Sequence, residues 1–234
     1  MNIGKFFSKL CPTASGKTVM GCSQCVGIES HFDQKVARRD LENYRNNKLD
    51  ETTSVLIDAL KSESISEMTL LDIGGGVGAI QHELLKAGVT SCINAEASQA
   101  YINAEKEEAE RQGHADRIQH LHGNFVELSS DIPPCDIVTL DRTICCYHDV
   151  QGLVETSSAL ARRLYGVVYP LDNWKTRIAG VFENLTYRTH RSPFRFFVHP
   201  TQAVEQTVYA KGFERRFYRE VGMWQVVIYA KTHP

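Results

Sequence analysis

The sequence predicts an α/β fold: a mostly parallel sheet of seven strands, covered by helices on both faces and completed by an antiparallel C-terminal hairpin. Two observations point to it. From about residue 65, short apolar runs alternate with longer amphipathic stretches at the spacing of βαβ units. At the end, "GFERRFYREVG" runs directly into "MWQVVIYAK". No room is left there for a crossover helix, so these two runs must pair antiparallel.

The elements follow in order. Residues 1 to about 27 read as irregular, with Pro12, Gly16, Gly21 and Gly27 among small polar residues. From His31 to about Leu60 the pattern is helical. "DQKVARRDLENYRNN" is charged and free of Pro and Gly, and "DETTSVLIDALKS" puts Val55, Leu56, Ala59 and Leu60 on one face. Residues 1–64 thus form an irregular segment and a helical lead. In 65–234, "MTLLDI" reads as a buried strand and "GAIQHELLKAG" as a helix stopped by Gly88. "TSCINAE" is a second strand. "SQAYINAEKEEAERQG" is a helix capped by Ser98 and stopped by Gly113. "RIQHLHG" and "CDIVTLD" are the third and fourth strands. "VQGLVETSSALARRL" reads as a helix and "YGVVYP" as the fifth strand. Residues 171–211 form a long insert, expected to be helical and to lie like a lid over the carboxyl edge of the sheet.

Bulk properties narrow the function. A chain of 234 residues, 42% hydrophobic, is long enough for one sizeable core. A net charge of -2 gives no electrostatic case for nucleic acid. No apolar run approaches a membrane span. The N-terminus lacks the continuous apolar core of a signal peptide, so a cytoplasmic monomer or homodimer is expected. Seven cysteines, unevenly spread, read as thiols rather than a disulfide framework. Cys22 and Cys25 form a CxxC with Cys11 upstream and His31 downstream, but the spacing matches no common zinc site, so no metal is expected. "GKT" at Gly16–Thr18 lacks the earlier glycine of a P-loop.

The stretch that bears on chemistry is "LLDIGGGVGAI", residues 70–80. Gly74, Gly76 and Ala79 satisfy a dinucleotide fingerprint, which alone is weak. Asp72 argues against a nicotinamide, because a diphosphate over that loop would meet its negative charge. S-adenosylmethionine has no phosphate; its ammonium and sulfonium would be favoured by a carboxylate there. A reductase-type Tyr-xxx-Lys pair should follow the loop, and the match at Tyr44 and Lys48 precedes it. A nicotinamide-dependent oxidoreductase and a non-catalytic binding module on the same fold remain the alternatives.

Over roughly residues 65–234 the chain resembles the class I S-adenosylmethionine-dependent methyltransferases, with their Rossmann-like sheet. "LLDIGGGVG" matches their first motif, from Asp72 through Gly74, Gly76 and Gly78. Glu96, followed by Ala97, matches the strand-end acid that binds the ribose hydroxyls; a carboxylate accepts two hydrogen bonds at once. "HGNFVEL" resembles the adenine-contacting motif, with Asn124 and Phe125 where Asp is usual at the first position. "CDIVTLDRTICCYHD" matches the fourth strand and the loop beside the methyl group, with Asp141 on the donor side. Glu96 could instead be a solvated strand-end charge, and Asn124 a turn former.

The resemblance implies methyl transfer, in which the protein chiefly positions two reactants. Tyr147 and His148 lie in the loop expected to face the methyl group. His148 is the candidate base and Tyr147 a pocket residue; a capping or surface role for His148 is the alternative. The Asp/Asn-Pro-Pro-Tyr signature of nucleic-acid amino-methyltransferases is absent, since the stretch reads "LDRT". A small molecule is therefore the expected acceptor. The insert interleaves Arg177, Arg188, Arg191 and Arg195 with Trp174, Phe182, Tyr187 and three further Phe. Arginine with aromatics suits a planar or apolar acceptor bearing an anion, with Arg142, Trp174, Arg188, Arg191 and Arg195 as its contacts. The alternative is a plain helical cover. In layout, though not in motifs, the chain loosely resembles the magnesium-protoporphyrin O-methyltransferases. Cys145 and Cys146 lie beside the expected methyl site, as small buried side chains or as a soft-acceptor pair.

Overall fold

A computed structural model describes residues 23–232. Seven strands lie in the order β3-β2-β1-β4-β5-β7-β6. They are β1 (Thr69–Ile73), β2 (Ser91–Glu96), β3 (Ile118–His122), β4 (Cys135–Asp141), β5 (Ala161–Pro170), β6 (Phe213–Val221) and β7 (Trp224–Lys231). The first five pair in parallel, while β7 runs antiparallel between β5 and β6. The order reverses direction between β1 and β4, and their carboxyl ends open the crevice where ligands of such sheets bind.

Strand alternation splits the core in two. Leu70, Ile137, Val168 and Ile228 point to one face and pack with Val55, Leu56, Leu60 and Leu84. Leu71, Val138, Val167 and Tyr229 point to the other and pack with Leu153, Val154, Val204 and Val208. Both faces are covered, which is why the strands read as continuous apolar runs.

The helices are α1 (Ser23–His31), α2 (Gln34–Arg45), α3 (Glu51–Lys61), α4 (Ala79–Lys86), α5 (Gln99–Gln112), the single turn α6 (Phe125–Leu128), α7 (Val150–Ala159), α8 (Trp174–Thr189) and α9 (Thr201–Ala210). Ser98 caps α5 by accepting from Tyr101 N, and Gly113 ends it at φ +72°, as expected.

Three local readings change. Helix α1 begins at Ser23, within the stretch read as irregular. Gly27 is tolerated there because a Cβ would come within 3.1 Å of the Phe194 backbone, so close packing rather than a turn explains it. Helix α7 ends at Ala159, short of the "ARRL" assigned to it. Those residues join β5, pairing Ala161 with Cys135 and Leu164 with Ala230; sheet pairing outweighs local helix propensity. The insert is helical only in α8 and α9. Between them Pro193 and Pro200 interrupt the chain, and an extended segment buries Phe194 and Phe196.

The N-terminal lead is fastened to the sheet domain at several points. Arg45 pairs with Glu108 at 2.8 Å and Glu107 at 2.9 Å. Tyr101 donates to Asp40 at 2.7 Å, and the buried Ser98 hydroxyl donates to Phe32 O at 2.7 Å.

Candidate active site

The strand ends and glycine loop border one cavity of about 690 Å³. This is within the usual size range for a cofactor or ligand site. Its donor half is built from short connections. Gly74 N donates to Ala95 O at 2.8 Å, tying the loop after β1 to the end of β2. There Glu96 is 4% exposed; one carboxylate oxygen accepts from Gly76 N at 3.1 Å and the other from Ser98 N at 2.8 Å. Burial raises this carboxyl's pKa, against the pull of those amides. Each oxygen keeps an acceptor site for a ligand hydroxyl. Ala97, Gly123, Asn124 and Phe125 continue the wall.

Asn124 caps α6, accepting from Val126 N at 3.2 Å, and also accepts a hydrogen bond from the Tyr147 hydroxyl. The turn role and the lining role therefore coincide. Asp141, at the end of β4, accepts from Thr53 Oγ1 at 2.5 Å. Its other oxygen is buried, makes no hydrogen bond and lies 3.4 Å from Arg142 Nε. Arg142 adopts φ +54°, a left-handed conformation uncommon for a side-chain-bearing residue, and pairs with Asp50 at 2.6 Å. Burial disfavours its charge, but Asp141 and Asp50 outweigh that and raise its pKa.

Asp72 stands elsewhere than expected. It is 1% exposed and outside the cavity wall, beneath the loop, with its oxygens held by Thr139 Oγ1 at 2.7 Å and Gln81 Nε2 at 3.1 Å. Burial pushes its pKa up to about 6. From there it braces the loop through Thr139 and Gln81. Gly75, by sequence a mere turn residue, is required by this arrangement, since a Cβ there would meet Asp72 Oδ2 at 2.6 Å as well as Gln81 Nε2. Gly78 is also outside the wall; it starts α4 at φ +79°, and a Cβ would meet Glu105 Cγ at 2.7 Å.

The acceptor half departs further from expectation. Tyr147 and Arg142 line the cavity, but His148 is exposed and outside its wall, its ring parallel to that of Tyr147 at 6.1 Å. Trp174, Arg188, Arg191 and Arg195 are outside as well. Helix α8 turns Glu183 and Tyr187 to the cavity, which leaves Trp174 68% exposed and Arg188 on the outer side. Arg191 is exposed at the turn after α8, and Arg195 donates to Ser192 O and Phe194 O. Arg177 pairs with Asp172 at 2.6 Å. The expected arginine lid over an anionic acceptor is therefore not formed.

What lines this half instead came from the lead and the extended segment. Among the described residues, His31 is the histidine in the wall. It stacks on Phe194 at 4.2 Å and meets Phe32 and Tyr187 edge-on. Burial lowers its pKa below the usual value, leaving a neutral imidazole at pH 7. Cys145 and Cys146 are buried free thiols with sulfurs 3.8 Å apart; the hydrogen bond Cys145 shares with Cys146, together with burial, raises the Cys145 pKa. Cys11, Cys22, the side chain of Cys25 and the Gly16–Thr18 stretch lie outside the described residues. Among those described, no cluster of His, Cys, Asp and Glu is arranged to hold a metal ion.

The chain is similar in fold to magnesium protoporphyrin IX methyltransferase from Synechocystis PCC 6803, solved with bound SAH. The identity is 12% and the TM-score 0.68, over 88% of this chain and 98% of that one. An O-methyltransferase family 2 protein from Planctomyces limnophilus, in complex with apigenin, gives 15% identity and a TM-score of 0.60, over 85% of this chain and 62% of that one. An O-methyltransferase family protein from Burkholderia thailandensis gives 14% and 0.61, over 86% and 63%. No curated protein sequence matches the chain. A family model for the O-methyltransferase domain matches residues 13–165, more than half of the chain and all of the donor half of the cavity, so the protein belongs to the O-methyltransferase domain family.

Proposed function

We propose that the protein transfers a methyl group from S-adenosylmethionine to an oxygen of a small apolar or aromatic molecule. The observation behind this is the junction of Glu96 with the Gly74–Gly76 loop on one cavity. Bound there, S-adenosylmethionine supplies an electrophilic methyl group on a sulfonium. The residues present suit it. Glu96 keeps acceptor sites for two ribose hydroxyls, and Ala97, Asn124 and Phe125 form an adenine slot. Asp141, whose second oxygen accepts no hydrogen bond and lies 3.4 Å from Arg142 Nε, is the candidate for the donor's ammonium. On the acceptor side, Phe32, Tyr187, Phe194 and Phe196 hold an apolar body and exclude water. A hydroxyl acceptor must lose its proton, and His31, neutral at pH 7, is the candidate to take it at a ring nitrogen. Tyr147 closes the wall beside Asn124. Calorimetry should show binding of S-adenosylhomocysteine and none of NADH; the reverse result would overturn the reading.

A further inference from the structure

Helix α8 has two unlike faces. Thr176 and Gly180 are buried, and Glu183 and Tyr187 reach the cavity. The other face presents Trp174, Ile178, Val181, Phe182 and Leu185, each 48 to 68% exposed. At about 100° per residue these five fall within an arc of about 100°. Scattered exposed apolar residues are ordinary, but five in one stripe mark a contact surface.

The charges around the stripe are of one sign. On the helical wheel Lys175 borders one side and Arg188 the other, beside Arg177 in its ion pair with Asp172, with Arg191 exposed just beyond. From Lys175 to His199 the only acid is Glu183, which faces the cavity. This local excess of cations stands against a chain total of -2. We propose that α8 is an interfacial anchor, seating the protein on a lipid bilayer that carries anionic headgroups. The stripe enters the acyl boundary, and the bordering cations lie among the headgroups. Trp174 at the end of the stripe has the amphipathic ring suited to that depth.

Charge disfavours the other occupants. A two-fold contact between two copies would bring the same cations together, and Asp172, the nearby acid, is already paired with Arg177. Residues 1–22 contain Lys5, Lys9 and Lys17 and no acid, so as an occupant they would add like charge. No helix of the described residues is long and apolar enough to cross a membrane, so the contact is peripheral.

The test uses the full chain with vesicles of phosphatidylcholine, alone or mixed with phosphatidylserine. Sedimentation should show binding to the mixed vesicles, weaker by about tenfold or more on phosphatidylcholine alone or at high salt. Trp174 emission should shift to the blue on binding, and Trp174→Phe should remove that shift. The double variant Val181→Ser with Phe182→Ser should lower partitioning by about tenfold or more. Its affinity for S-adenosylhomocysteine should be unchanged, which separates loss of docking from loss of the donor site. Three results would overturn the proposal: no binding to mixed vesicles, binding that the double variant leaves unaltered, or a wild-type dimer in sedimentation that the double variant dissociates.

Discussion

Behind the glycine loop, Glu105 is fully buried, hydrogen-bonded to His120 and 3.9 Å from His82, whose other nitrogen lies 3.1 Å from His114. Burial pushes Glu105 up to about 8 and both His82 and His120 down to about 4. At pH 7 the cluster is uncharged, so it props the loop without an unpaired buried charge. A carboxyl raised on folding stabilises below its unfolded pKa, and that contribution is lost as pH rises through the folded value. The buried histidines act in the opposite sense, but their contribution, nearly complete by about pH 7.5, is common to wild type and Glu105→Gln. From pH 6.5 to 8 wild type should therefore lose about 2 kcal/mol relative to Glu105→Gln. Urea denaturation at both pH values checks this, and a constant gap would refute it. At Glu96 the shape-preserving Glu96→Gln removes the charged acceptors. Affinity for S-adenosylhomocysteine should fall by about 1.5–3 kcal/mol in calorimetry. His31, whose pKa is lowered, should give a transfer rate that rises through an apparent pKa below 6.5, and His31→Gln should flatten that limb.

At the level of elements, caps and strand ends do double duty. Ser98 caps α5 through Tyr101 N and simultaneously holds Phe32 O, joining the lead to the donor half. Ser98→Ala should cost about 1–2 kcal/mol, because the cap is lost and the part-buried Phe32 carbonyl loses this donor. Chemical denaturation measures it; a cost near zero would mean that neither bond contributes. The insert shows what the helical pattern alone misses. Arg177 and Arg188 lie on a different side of α8 from Glu183 and Tyr187, and Phe194 and Phe196 follow the period of two of an extended chain. Composition alone does not separate the two sets.

For the whole molecule, the change of pattern near residue 64 is not a break in the core. Val55, Leu56 and Leu60 of α3 pack in one cluster with Leu164, Val168 and Ile228. Thr53 and Asp50 brace Asp141 and Arg142 at the far end of β4. Lead and sheet should therefore unfold together. Far-UV and near-UV circular dichroism should report coincident transitions in urea. An early transition confined to the helical signal would show the lead to be an independent unit.

The alternation of strands and helices, the antiparallel hairpin, the glycine loop and the strand-end Glu96 are all legible in the chain alone. These rest on periodicity, turn chemistry and short-range spacing, which are local properties of the chain. The position of Asp72 was legible, but not the direction of its side chain, because that depends on Thr139 and Gln81 packing beneath the loop. Only the tertiary structure brought His31, Asp50 and Thr53 into the cavity wall and left His148 and the insert's arginines outside. Which face of a helix meets a cavity is decided by what packs across it, from residues more than a hundred positions away. No local pattern records that.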